Sequence, residues 1–201
     1  ERSIAINDRH AALVLTTGSE EQKQAFMSTM RAQTDLATAL HMLFDPGRIE
    51  AARLLAGIVP RCGKVRFANS GTEAAMHALH VARAATGRER VAKAEGAYHG
   101  WADPFWVSTW GAPDAIGDPA RPASPPGSAG LSRHAAETLV LPFNDADACV
   151  GLLREHADDV AAVFVEPVLI DLGWIPAARA FLEALREVTA ELGILLVFDE
   201  L

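Results

Sequence analysis

Residues 194–198 read Ile-Leu-Leu-Val-Phe, an uninterrupted apolar run that stops at Asp199 and Glu200. Such a run fits a strand buried on both faces, the kind found in parallel sheets sandwiched between helices. A second run, Val160 to Val165, ends in the same way at Glu166. Apolar spacing predicts further strands over 65–68, 91–94 and 138–142, and helices over 48–59, 72–86, 145–157 and 178–192. Alternation at these lengths gives the α/β class, with a mostly parallel sheet covered on both faces.

Upstream, residues 20–40 carry Ala25, Phe26, Met30, Leu36, Ala37 and Leu40 without Pro or Gly, which predicts a helix. Asp45-Pro46-Gly47 has turn chemistry. From 103 to 132, six prolines and several glycines predict irregular structure, either an active-site cover or a surface excursion. Trp101, Phe105, Trp106 and Trp110 at its start would be costly to leave in water.

With 201 residues, half of them apolar, the chain suffices for one core. Its net charge of -8 and the lack of any Lys/Arg run argue against nucleic-acid or acidic-membrane partners. Cys62 and Cys149 stand outside any CxxC spacing, so neither a disulfide framework nor a zinc site is expected, and His77 and His80 lack the ligands to complete a metal site. No run approaches about 20 apolar residues, and Glu1-Arg2-Ser3-Ile4 does not open a signal peptide, which predicts a soluble, cytoplasmic protein. The missing initiator Met and the abrupt final strand suggest that both ends are cut.

Ser70-Gly71-Thr72-Glu73-Ala74 lies where a strand would feed a helix, so free backbone N–H groups there could hold a phosphate. A plain N-cap by Ser70 or Thr72 is the competing reading. Ligands of open α/β sheets bind beyond the carboxyl ends of the strands. Asp199 ends one such strand, and an isolated carboxylate there calls for a cation on the ligand. Phosphate and cation together describe protonated pyridoxal phosphate (PLP). Tyr98, the only tyrosine, and His99 fall at the same edge, where an aromatic could stack on a flat ring. Glu166 and Asp171 add carboxylates, read as the shell of the site and not as catalysts.

The segment KVRFANSGTEAAMHALHVARAATGRERVAKAEGAYHGWAD, Lys64 to Asp103, resembles the class III PLP-dependent aminotransferases, most closely the glutamate-1-semialdehyde 2,1-aminomutase group. VAAVFVEPV, GWIPAARAFLEALREV and GILLVFDE continue the match in order. The resemblance implies a fold type I PLP-dependent transferase large domain, incomplete at its C-terminus. Residues 49–201 would form this partial domain, after a poorly matched N-terminal helical segment, 1–48. It further implies a homodimer with the cofactor near the interface, and a small amino-acid or amino-aldehyde substrate. Gly71 and Thr72 would bind the cofactor phosphate beside Ser70, and Tyr98, next to His99, would stack on the pyridine ring. Asp199 would pair with the ring nitrogen.

Two positions depart from the pattern. Asp171 stands where the aminomutase group has asparagine and ordinary aminotransferases have glutamate, and Trp101 replaces a histidine. The family's Schiff-base lysine is expected beyond Leu201; Lys23, Lys64 and Lys93 match it neither by motif nor by order. No catalytic residue is therefore expected within these 201. An ω- or β-amino-acid aminotransferase, a non-catalytic remnant and an unrelated phosphometabolite-binding module stay open as alternatives.

Overall fold

The computed structural model describes residues 46–59, 62–110 and 113–200. The chain divides into two units, Glu1–Arg66 and Phe67–Leu201. In the first, α1 spans Pro46–Ile58 and buries none of its residues. Pro46 and Gly47 open this helix instead of forming the expected turn: a proline in the first turn has no N–H to lose, and its fixed φ already suits the helix. The helix expected over 20–40 lies outside the described residues.

The second unit holds the α/β fold. Helix α2, Gly71–Thr86, precedes strand β1, Arg90–Ala94. A small antiparallel pair follows, β2 at Gly117–Asp118 and β3 at Arg121–Pro122. Then come β4, Leu139–Leu141; α3, Ala146–Glu155; and β5, Val160–Val165. A second short pair, β6 at Val168–Leu169 and β7 at Ile175–Pro176, leads into α4, Arg179–Leu192, and β8, Leu195–Phe198. The main sheet has the order β4-β1-β5-β8, with every neighbouring pair parallel. Among the described residues no helix is long and apolar enough to cross a membrane.

Side chains alternate across the sheet and find helices on both sides. Ala92, Leu141, Val163 and Val165 share one core with Leu152 and Leu153 of α3 and Phe181, Leu185 and Val188 of α4. Val91, Ala162 and Phe164 face the other way, onto Ala75, Leu79 and Ala82 of α2 and onto Phe105. The small side chains of α2 let it lie close to the sheet, which fixes its N-terminus near the strand ends.

Two further sequence expectations fail. Residues 62–68 carry no regular structure, so the strand expected at 65–68 does not form; with Arg66 and Phe67 both exposed, its side chains bury too little to fix a strand. Strand β8 is not buried on both faces. Among the described residues it is the sheet edge, paired with β5 alone, and Leu195 and Phe198 are 38% and 46% exposed. The central strand β5 is the one buried along its whole length. An apolar run thus identifies a strand without fixing its rank in the sheet. The stretch 103–132 is more ordered than expected: it carries the β2–β3 pair and a bridge between Val107 and Pro126. Phe105 and Trp106 are buried, whereas Trp101 and Trp110 are exposed.

Candidate active site

A cleft of ≈ 410 Å³ opens beyond the carboxyl ends of β1, β5 and β8. Its lining includes all eight residues singled out from the sequence: Ser70, Gly71, Thr72, Tyr98, His99, Glu166, Asp171 and Asp199.

One wall is the start of α2. Ser70 caps the helix: its backbone is extended and its Oγ accepts the Glu73 N–H at 3.2 Å. The Glu73 carboxylate reaches back to accept the Asn69 N–H at 2.7 Å, a variant of the capping box. The Ala74 N–H is satisfied by the Ser70 carbonyl. The N–H groups of Gly71 and Thr72 have no partner among the described residues, and both residues line the cleft. Capping and anion binding are therefore compatible, because the cap uses the third N–H of the helix and leaves the first two. Gly100, at φ +90°, packs against Thr72 so closely that a Cβ there would overlap it. The Trp101 N–H donates to Thr72 Oγ1 at 3.3 Å, tying the Tyr98–Trp101 loop to the helix start.

The opposite wall carries Asp199, whose N–H donates to the Val165 carbonyl at 2.9 Å and so extends the β5–β8 ladder by one residue. Its Oδ2 lies 2.8 Å from His99 Nδ1. A carboxylate can only accept, so Nδ1 carries the proton and donates. His99 is fully buried between Phe105 and Phe164, with ring centroids at 5.8 and 5.6 Å, and this burial pushes its pKa down. The ring is neutral, and Nε2 has no partner among the described residues. This corrects the expectation of an isolated carboxylate: Asp199 already has a donor, placed by a loop 100 residues away in sequence.

Glu166 directly follows β5 and is buried; its Oε2 accepts the Tyr98 N–H at 3.1 Å. Burial raises its pKa, and the charges of Asp199 and Asp171 push in the same direction. The Glu166 carboxylate holds the backbone of the Tyr98 loop, while Asp171 is exposed at the cleft. The Tyr98 ring is parallel to that of Trp110 at 5.9 Å and edge-on to that of Trp106 at 5.9 Å.

Sequence reasoning named three residues behind this wall without assigning them to the site. Trp106 and Trp110 flank Tyr98, and Lys93, the last but one residue of β1, is completely buried. The signal for Lys93 was its setting, Val91-Ala92-Lys93-Ala94: a lysine inside an apolar strand needs acceptors to be tolerated.

With this geometry in view, the likeness to known proteins is specific. The family model for class-III aminotransferases matches residues 14–201. The chain is 43% identical over 158 residues to the glutamate-1-semialdehyde 2,1-aminomutase of Thermomicrobium roseum, covering 79% of this chain and 35% of that protein. Among solved structures, an omega-transaminase from Sphaerobacter thermophilus superposes with a TM-score of 0.71 at 45% identity, covering 75% of this chain and 34% of that one. A transaminase solved with PLP bound gives a TM-score of 0.68 at 38% identity, covering 77% and 35%. The chain spans about a third of the length of these relatives. It belongs to the class-III aminotransferases.

Proposed function

We propose that this chain forms the PLP-binding part of an enzyme that moves an amino group on a small amino acid or amino aldehyde. The observation that carries the reading is one cleft with two unpartnered helix N–H groups on one wall and a buried-histidine-oriented carboxylate on the other. These donor and acceptor sets fit the two ends of PLP. When bound, PLP supplies an electron sink for the carbon that loses or gains the amino group.

The residues have separate tasks. The Gly71 and Thr72 N–H groups hold the phosphate, helped by the α2 dipole, which alone contributes only about 0.3–2 kcal/mol. Ser70 keeps the helix start rigid, so these donors are already aimed before binding. Asp199 holds a proton at the ring nitrogen, and His99 keeps the carboxylate turned toward it. Tyr98 faces the ring, and Glu166 fixes the loop that presents it. Among the described residues no lysine lines the cleft, so covalent attachment of the cofactor is assigned to none of them. We further read the protein as a cytoplasmic homodimer.

The aminomutase reading rests on 43% identity to the Thermomicrobium roseum protein, and transfer to an external acceptor rests on 45% identity to the Sphaerobacter thermophilus transaminase. The deciding experiment supplies PLP to the intact protein and follows amine movement with and without a keto acid. Isomerisation without a keto acid identifies a mutase, and stoichiometric conversion of the keto acid identifies a transferase. Failure to bind PLP or to move amines with any donor sinks both.

A further inference from the structure

Lys93 is fully buried, lies outside the cleft and has no task in the chemistry proposed above. Its side chain leaves β1 on the face shared by Val91, toward Phe105. There Nζ donates to the carbonyls of Phe105 at 3.3 Å and Val107 at 2.7 Å, and to Thr109 Oγ1 at 3.2 Å. An ammonium has three donors and here meets three acceptors, so each N–H is used. All three acceptors belong to one short segment, 105–109, and the two carbonyls flank Trp106 on either side.

Trp106 is the hub of the aromatic cluster. It stacks on Trp101 at 4.7 Å, meets Trp110 edge-on at 5.0 Å and meets Tyr98 edge-on at 5.9 Å. Its indole Nε1 donates to Ser128 Oγ at 2.9 Å, and its carbonyl accepts the Gly127 N–H at 2.8 Å. The same segment is bonded to the Tyr98 loop, since the Gly96 N–H donates to the Ser108 carbonyl at 2.8 Å and Ser108 Oγ donates to Glu95. Segment 105–109 has no regular structure of its own apart from the Val107–Pro126 bridge. Its conformation therefore depends on these bonds, and Lys93 Nζ alone makes three of them.

We propose that Lys93 is a positioning residue: the hydrogen bonds of its Nζ lock segment 105–109 to the central sheet and so fix Trp106 and the Tyr98 face of the cleft. The alternative is a lysine accommodated in the core with no consequence for the cleft. The link to the cofactor rests on the reading under Proposed function, whereas the link to the aromatic wall does not.

The test compares wild type with Lys93→Met, which keeps the length of the side chain and removes every donor. Near-ultraviolet circular dichroism reads the wall without any cofactor, because Tyr98 is the only tyrosine and three of the four tryptophans sit in this cluster. A cooperative thermal transition establishes that the variant is folded. PLP titration, followed by tryptophan quenching, reads the cleft. The expected result is a folded variant that has lost most of its near-ultraviolet signal, with a PLP Kd raised about tenfold, as for one lost hydrogen bond. A folded Lys93→Met with wild-type near-ultraviolet signal, or with wild-type Kd, overturns the proposal. If Lys93→Met does not fold, Thr109→Val decides, since it removes one acceptor without touching the lysine: a weakened wall signal and a raised Kd support positioning, and no change in either overturns it. Absence of PLP binding by wild type counts against the proposed function alone, and the wall signal then decides for Lys93.

Discussion

His99 donates from Nδ1 to Asp199 Oδ2 at 2.8 Å while its ring is packed edge-on against Phe105, so the orientation of the cleft carboxylate is set from inside the core. Burial lowers the histidine pKa and keeps the ring neutral, which makes the contact a hydrogen bond from a neutral donor to a carboxylate. His99→Phe preserves the ring volume and removes the donor. Loss of a bond to a charged group at this position costs about 1–3 kcal/mol of stability, to be measured by urea unfolding. A double-mutant cycle with Asp199→Asn gives a coupling of similar size, and a coupling near zero removes the bond from the account.

Asp199→Asn in the intact, PLP-loaded protein separates binding from chemistry. A charge opposite the ring nitrogen acts mainly on the electron-rich transition state. The expected loss in kcat is roughly a hundredfold or more, with a much smaller change in PLP affinity. Equal losses in both would make Asp199 a binding group only.

Gly100 and Gly87 form a controlled pair. Both have positive φ, +90° and +71°, so alanine at either costs about 1–3 kcal/mol in backbone strain. Only at position 100 would the new methyl overlap Thr72; at position 87 it meets open space. Gly100→Ala should therefore weaken PLP binding as well as stability, and Gly87→Ala should affect stability alone. Titration of both variants with PLP checks the difference.

Lys93 also leaves a mark on the pH dependence of folding. Desolvation lowers its pKa from 10.5 to about 7, against the opposing charges of Glu95, just after β1, and Glu166, at the end of β5. Between those values the unfolded chain binds more protons than the folded one, so the penalty is complete below about pH 7 and is relieved as pH rises. Stability of wild type relative to Lys93→Met should rise with pH by up to about 1.4 kcal/mol per unit. Denaturation from pH 7 to 9 tests the slope; Cys149, which burial pushes up to about 12 in the folded protein, contributes equally to both proteins and cancels in the difference. A flat difference would show that the lysine keeps its ordinary pKa.

The helices were legible because their apolar spacing is strong: α2, α3 and α4 begin and end within two residues of the sequence expectation. The parallel class followed from the apolar runs at β5 and β8, but their rank did not, since being central or at the edge depends on neighbours that a single run does not reveal. The segment at 65–68 shows the limit of a short apolar stretch. At the site, residue types at strand ends and at the start of α2 pointed to eight candidates, and all eight line one cleft. Their mutual contacts were not readable. The pairing of His99 with Asp199 joins a loop after β1 to the end of β8, and the ties from Lys93 run to backbone carbonyls, which carry no sequence signature.

The most direct test follows the backbone amide resonances of Gly71 and Thr72 while PLP is added to the protein. The account predicts saturable shifts of both resonances with PLP, weaker ones with inorganic phosphate, and none with pyridoxal, which lacks the phosphate. Saturable PLP binding that leaves Gly71 and Thr72 unmoved would contradict the assignment of this cleft.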